Sequence, residues 1–146
     1  MLKRGDHVFF AENSEESGVL NGKYGFEFYR IAGTELGLFA IYYQGAKLEI
    51  RESSLDREMR NDFYGSRALA LYLGTPKPGS THHDNWVLPE LKHAIAQGME
   101  CLIYVSPTFP RELLKQYGYE NAPKIVHTKA EFCSVLLDDL KRLVGQ

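Results

Sequence analysis

The residues with the most chemical content stand in one stretch, Asp84-Asn85-Trp86-Val87-Leu88-Pro89-Glu90-Leu91-Lys92. A loop gives way to a helix here, with Pro89 and Glu90 in the first turn. Proline is tolerated there because the early backbone donors have no helical partner. Leu88, Leu91 and Ile95 are spaced to face a sheet, and Glu90, His93 and Gln97 to form a second, polar face at the loop mouth. A carboxylate so placed can complement the positive end of the helix, worth about 0.3–1 kcal/mol. It can also stabilise positive charge developing on a substrate. Isolated, Glu90 reads as the first and Trp86 as a packing residue; together, at the end of a strand, they form a candidate site.

The other candidates carry less. His82-His83-Asp84 has metal-ligand residue types, but adjacent residues on a loop do not make a site without distant partners, so no metal is expected. Cys101 and Cys133 sit in apolar segments and read as buried thiols of a reducing, cytoplasmic compartment. Tyr42-Tyr43, at a strand end, reads as packing. Arg111, Lys115 and Lys141 read as solvated helix faces. The chain has no G-x-G-x-x-G, no Walker phosphate loop, no G-x-S-x-G elbow and no His-Glu-x-x-His. Rossmann dehydrogenases, P-loop enzymes, serine hydrolases and zincins therefore drop out.

Charge narrows the partners. Seventeen Lys+Arg against nineteen Asp+Glu give a net charge of −2. Without a run of like charge, no footprint points to nucleic acid or to an anionic membrane. A small molecule or a protein is the expected partner. No apolar run approaches the ~20 residues that cross a bilayer, and Met1 to Asp6 lack the apolar stretch of a signal peptide. The 146 residues fit a single domain, 1–146, and Met1 with no linker-like segment suggests a complete short protein.

The elements that must position these residues alternate. Strands are expected at 7–11, 38–43, 67–73, 101–105 and 124–127. Helices are expected at 26–36, from Ser53-Ser54 to Gly65 with Leu55, Met59 and Phe63 as its core stripe, at about 86–97, from Thr108 to Tyr117, and behind Thr128. Thr128-Lys129-Ala130-Glu131 has the form of a capping box. The unbroken apolar runs 68–73 and 101–105 look like strands buried on both faces. The expected fold is therefore α/β: a flavodoxin-like, doubly wound, five-stranded and mainly parallel sheet with helices on both faces. Ligands of that architecture gather at the carboxyl ends of the strands. That singles out 11–18, 44–52 and 74–90.

Trp-x-x-x-Glu-Leu, here Trp86 to Leu91, after a buried strand and a loop, resembles the third-helix motif of the Toll/interleukin-1 receptor (TIR) domain family. The stretch from Leu55-Asp56-Arg57-Glu58-Met59 to Ser66-Arg67-Ala68-Leu69-Ala70-Leu71-Tyr72-Leu73 is similar to that family's second helix leading into a Ser-Arg-initiated central strand. Gln97-Gly98 followed by 101–105 is similar to its next helix-to-strand step. The resemblance covers roughly 53–106. Many TIR domains, bacterial ones among them, cleave the nicotinamide–ribose bond of NAD, often in defence signalling such as bacterial anti-phage systems. It implies Glu90 as the catalytic carboxylate, kept ionised by the helix start, and Trp86, Phe10 and Ala11 as substrate-binding residues. NAD would be the substrate, no separate cofactor would be needed, and TIR–TIR contacts would make a homo-oligomer. Two alternatives stay open: a non-catalytic TIR-type interaction module, and a nucleoside deoxyribosyltransferase-like N-glycosidase.

Overall fold

Five apolar runs pair into one sheet. The computed structural model describes residues 1–13, 23–43, 54–76, 78–79 and 87–145. β1 spans His7–Asn13, β2 Phe39–Tyr42, β3 Ala68–Leu73, β4 Glu100–Val105 and β5 Lys124–Ile125. The order is β2-β1-β3-β4-β5, and every pairing is parallel. This is the flavodoxin-like, doubly wound arrangement that the alternation predicts.

Parallel neighbours need crossovers, and helices supply them. α1 (Gly25–Phe28) runs on into a π-helical segment, Tyr29–Glu35; α2 is Ser54–Tyr64, α3 Leu88–Ala96, α4 Glu112–Gln116 and α5 Lys129–Val144. Successive strand side chains point to opposite faces, so the sheet separates two cores. Phe9, Ala11, Leu69, Leu71, Leu73, Ile103 and Val105 pack with Met59 and Phe63 of α2, Leu88, Leu91 and Ala94 of α3, and Leu114 of α4. Val8, Phe10, Ala68, Ala70, Tyr72, Leu102 and Tyr104 pack with Phe28, Ile31, and the α5 residues Phe132, Leu136 and Leu140. All six residues of β3 are buried, as a strand covered on both faces requires.

Several boundaries differ from the sequence reading. β1 runs two residues past Ala11, because β3 lies alongside it and the Gly74 N–H donates to the Asn13 carbonyl at 2.6 Å. The expected helix at 26–36 is one α-helical turn followed by the wider π-helical one, which holds Gly33, a weak helix former. α4 begins at Glu112, and β5 keeps only two residues because it meets β4 at two positions. α5 starts as the capping motif predicts: Thr128 Oγ1 accepts from the Glu131 N–H at 3.1 Å. The Glu131 carboxylate lies 3.3 Å from His127 Nδ1. Among the described residues no helix is long and apolar enough to cross a membrane.

Candidate active site

α3 follows β3 in the chain and packs on β3 and β4, which sets its first turn at the carboxyl edge of the sheet. Pro89 occupies that first turn, and Leu88, Leu91 and Ala94 press the helix onto the sheet. Glu90 is carried inward with them. It is only 5% exposed, and its Oε2 is buried with no hydrogen-bond partner among the described residues. Desolvation raises its carboxyl from 4.5 to about 8. The sequence expectation that the helix start keeps Glu90 ionised is thus reversed. A terminal dipole favours the anion by about 0.3–1 kcal/mol, and the loss of hydration outweighs it.

The polar face expected from Glu90, His93 and Gln97 does not form as one surface. Glu90 is buried, His93 is half-buried with Nδ1 at 3.3 Å from the Tyr64 hydroxyl, and Gln97 is exposed. Spacing placed the three on adjacent turns, but the helix sits rolled onto the sheet so that Glu90 flanks the apolar stripe.

Ala11 and Phe10 part company. Ala11 points to the α2–α3 face with Glu90, whereas Phe10 points to the opposite face. There the Phe10 ring stacks on Phe28 at 4.8 Å and meets Tyr42 at 5.6 Å and Phe132 at 6.0 Å. The structure therefore brings Ala11 to the side of Glu90 and keeps Phe10 in the other core. Trp86 and His82-His83-Asp84 lie outside the described residues, as do most of the strand-end segments singled out above. Among the described residues no group of three His, Cys, Asp or Glu is arranged to hold a metal. Cys101 and Cys133 are half-buried free thiols. Burial pushes Cys101 up to about 11 and raises Cys133 as well, so neither is an activated nucleophile.

Further polar groups line the same sheet edge. Tyr43, at the end of β2, stacks on Phe9 at 6.2 Å and donates its hydroxyl to Asp62 of α2. Burial and that carboxylate hold the Tyr43 phenol well above its ordinary range. Beyond β3 and β4, Thr75 Oγ1 lies 2.9 Å from Ser106 Oγ and also hydrogen-bonds Thr108 Oγ1. Asn13, the last residue of β1, is 3% exposed, and its Nδ2 is buried without a partner among the described residues. The sequence reading placed Asn13 in a loop. The alternation Phe9, Ala11, Asn13 was the available sign that a polar side chain ends an inward-facing row.

On its α2–α3 side this edge presents, among the described residues, one buried carboxyl group whose Oε2 has no partner, together with neutral hydrogen-bonding side chains. Such a set can accept hydrogen bonds from a substrate, hold or release one proton near neutrality, and offset a positive charge brought into a desolvated space. No family model matches the chain, and no curated protein or solved structure matches it either.

Proposed function

We propose that this chain is a TIR-like domain that cleaves the nicotinamide–ribose bond of NAD, with Glu90 as its catalytic carboxylate. The observation that carries this reading is Glu90 itself: a buried carboxyl group whose Oε2 has no partner among the described residues, in the first turn of the helix after the central strand, at the sheet edge where doubly wound folds bind ligands. Buried carboxyls are ordinarily paired, because an unpaired one is destabilising. A function explains its retention. The Trp-x-x-x-Glu-Leu resemblance supplies the substrate.

One carboxylate suffices for this reaction. Glycosidases acting on neutral sugars need an acid because an alkoxide leaves poorly. In NAD the C–N bonding pair departs with a neutral nicotinamide, which discharges the pyridinium, and positive charge moves onto the ribose. A desolvated carboxylate opposes that oxocarbenium-like charge. Water then adds to the anomeric carbon and loses its proton, which Glu90 accepts near its raised pKa. Because the substrate is cationic at the pyridinium, its arrival favours the ionised carboxylate and releases a proton from the free protein.

A cytoplasmic, self-associating protein in bacterial defence signalling fits the same reading. β2 is an edge strand, and its Phe39 is 55% exposed. That apolar edge supports contact between copies, and equally supports a non-catalytic interaction module, for which Glu90 would have no substrate. Nicotinamide release separates the two. Wild-type protein incubated with NAD over a range of protein concentrations should release nicotinamide, and Glu90→Gln should lower turnover on the order of 10²–10³-fold. A folded, self-associated wild-type protein that releases none, or a Glu90→Gln variant with full turnover, overturns the proposal. Release of a base from a deoxynucleoside, with NAD untouched, would establish the deoxyribosyltransferase-like alternative.

A further inference from the structure

Asn13 stands in the register row opposite Leu73, the last residue of β3, and shares its face of β1 with Phe9 and Ala11, which pack against α2 and α3. α3 carries Glu90 to the same edge. Among the described residues two polar atoms are thus without a partner on one side of the sheet at its carboxyl end: Asn13 Nδ2, a donor, and Glu90 Oε2, an acceptor. A buried amide without a partner is uncommon and destabilising, and a leucine, with the same branching and no polar atom, would avoid that penalty. The two orphans are complementary in kind. A hydroxyl group donates one hydrogen bond and accepts others, so a polyhydroxyl ligand has groups to meet both needs.

We infer that Asn13 is a second substrate-binding residue, its Nδ2 donating to a sugar oxygen of a ribosyl ligand while Glu90 accepts from a hydroxyl of the same sugar. The identity of the sugar as ribose rests on the proposed NAD chemistry; the pairing of donor and acceptor does not. A neutral amide places no charge beside the developing cation. Asn13 therefore acts in binding and orienting the sugar, and its loss raises KM more than it lowers kcat.

The test uses ADP-ribose as the probe, with wild-type protein and Asn13→Leu. On titration with ADP-ribose, the side-chain amide resonances of Asn13 in the wild-type protein should shift. Asn13→Leu should bind the probe about 3- to 10-fold more weakly by calorimetry, as the loss of one neutral hydrogen bond predicts, with a Tm equal to or above that of the wild type. The wild-type resonances give the answer even where the variant folds poorly. Unmoved Asn13 resonances under bound ADP-ribose, equal affinity in Asn13→Leu, or no ADP-ribose binding at millimolar concentration would each overturn the inference. Binding through Asn13 with NAD left uncleaved would refute the hydrolase reading alone, and NAD cleavage with unchanged KM in Asn13→Leu would refute this inference alone.

Discussion

Glu12 and Glu90 are two inward-turned carboxyl groups at the carboxyl edge of one sheet, on opposite faces of it. Glu12 shares its face with Phe10 and accepts from the backbone N–H groups of Lys23 and Tyr24 and from the Tyr42 hydroxyl at 3.3 Å. Gly25 makes the approach possible, since a Cβ there would stand 2.8 Å from the Tyr42 ring. On that side Asp139, too, is provided for: it accepts from the Tyr104 hydroxyl at 2.8 Å, pairs with Lys124 and lies 3.3 Å from Arg142. At this edge the α2–α3 side leaves Glu90 Oε2 and Asn13 Nδ2 without partners among the described residues. Burial lifts Glu12 to about 6, held back by its three donors, and lifts Glu90, with no such donors, to about 8. Among the described residues the α5 side satisfies its buried polar groups for stability; the α2–α3 side keeps two open at the carboxyl edge, besides His7 Nδ1 at the other end of β1, and the cost of the two at the edge is one that a ligand can remove.

The strongest way to break this contrast is Glu90→Gln, which keeps the shape and removes the charge. Its turnover loss is given above; its stability effect runs the other way. The folded carboxyl titrates near 8 and the unfolded one near 4.5. A group raised on folding contributes its full stability below the unfolded value and loses it as pH rises through the folded one. Wild-type stability should therefore fall between about pH 4.5 and 8, and the variant should lack that fall. At pH 7 the variant should be more stable by up to about 3 kcal/mol. Urea unfolding at pH 5 and at pH 8 measures the difference. A variant less stable than wild type at pH 8 would show that Glu90 holds the fold together.

The same titration sets the pH dependence of catalysis. The reaction needs the ionised form, and kcat/KM reports the free protein. With NAD, kcat/KM should rise about tenfold per pH unit below about 8 and level off above it. A flat profile from pH 6 to 8 would remove Glu90 from the charge-stabilising role.

Asp139→Ala probes the satisfied face. It leaves the Tyr104 hydroxyl buried without its acceptor, and an orphaned group of this kind costs about 1–3 kcal/mol. Chemical denaturation should show that loss, while kcat for NAD in the folded variant stays at the wild-type level. A large fall in kcat would mean that the two faces are coupled.

The residues show which parts of this were legible beforehand. β3, β4 and the start of α5 follow from unbroken apolar runs and one capping motif, all local patterns, and the element order gives the topology. Glu90 was legible as a position because Pro89 and the Leu88–Leu91 spacing mark a helix start. Its environment was not, since burial depends on how α3 rolls onto β3 and β4. Phe10 and Ala11 were both expected to bind substrate, although strand alternation alone sends neighbours to opposite faces. Asn13 was missed because β1 is lengthened by pairing with β3 as far as Leu73, and the alternation from Phe9 and Ala11 reaches Asn13 only once that lengthening is known. The π-helical turn after Phe28 has no marker in periodicity either.

Glu12→Gln is the smallest expected effect and the closest control for Glu90→Gln. Glu12 titrates near 6 in the folded protein against 4.5 unfolded, chiefly through desolvation. By the same linkage its contribution is complete below about 4.5 and declines as pH rises to about 6, so removing the charge relieves a modest penalty at neutral pH. The carboxamide, however, has one accepting oxygen where the carboxylate has two. It cannot accept from both the Lys23 and the Tyr24 N–H groups in the present geometry, and its NH₂ is turned toward one of these donors. Losing one such bond costs about 0.5–1.5 kcal/mol. The two changes oppose each other and should leave stability at pH 7 within about 1 kcal/mol of wild type. Urea unfolding of the two Gln variants side by side is the measurement. If Glu12→Gln stabilises the protein as much as Glu90→Gln does, its hydrogen bonds carry no weight and the distinction between the two faces fails. A net change near zero at Glu12, beside a clear gain at Glu90, shows that the missing partners, and not burial alone, set Glu90 apart.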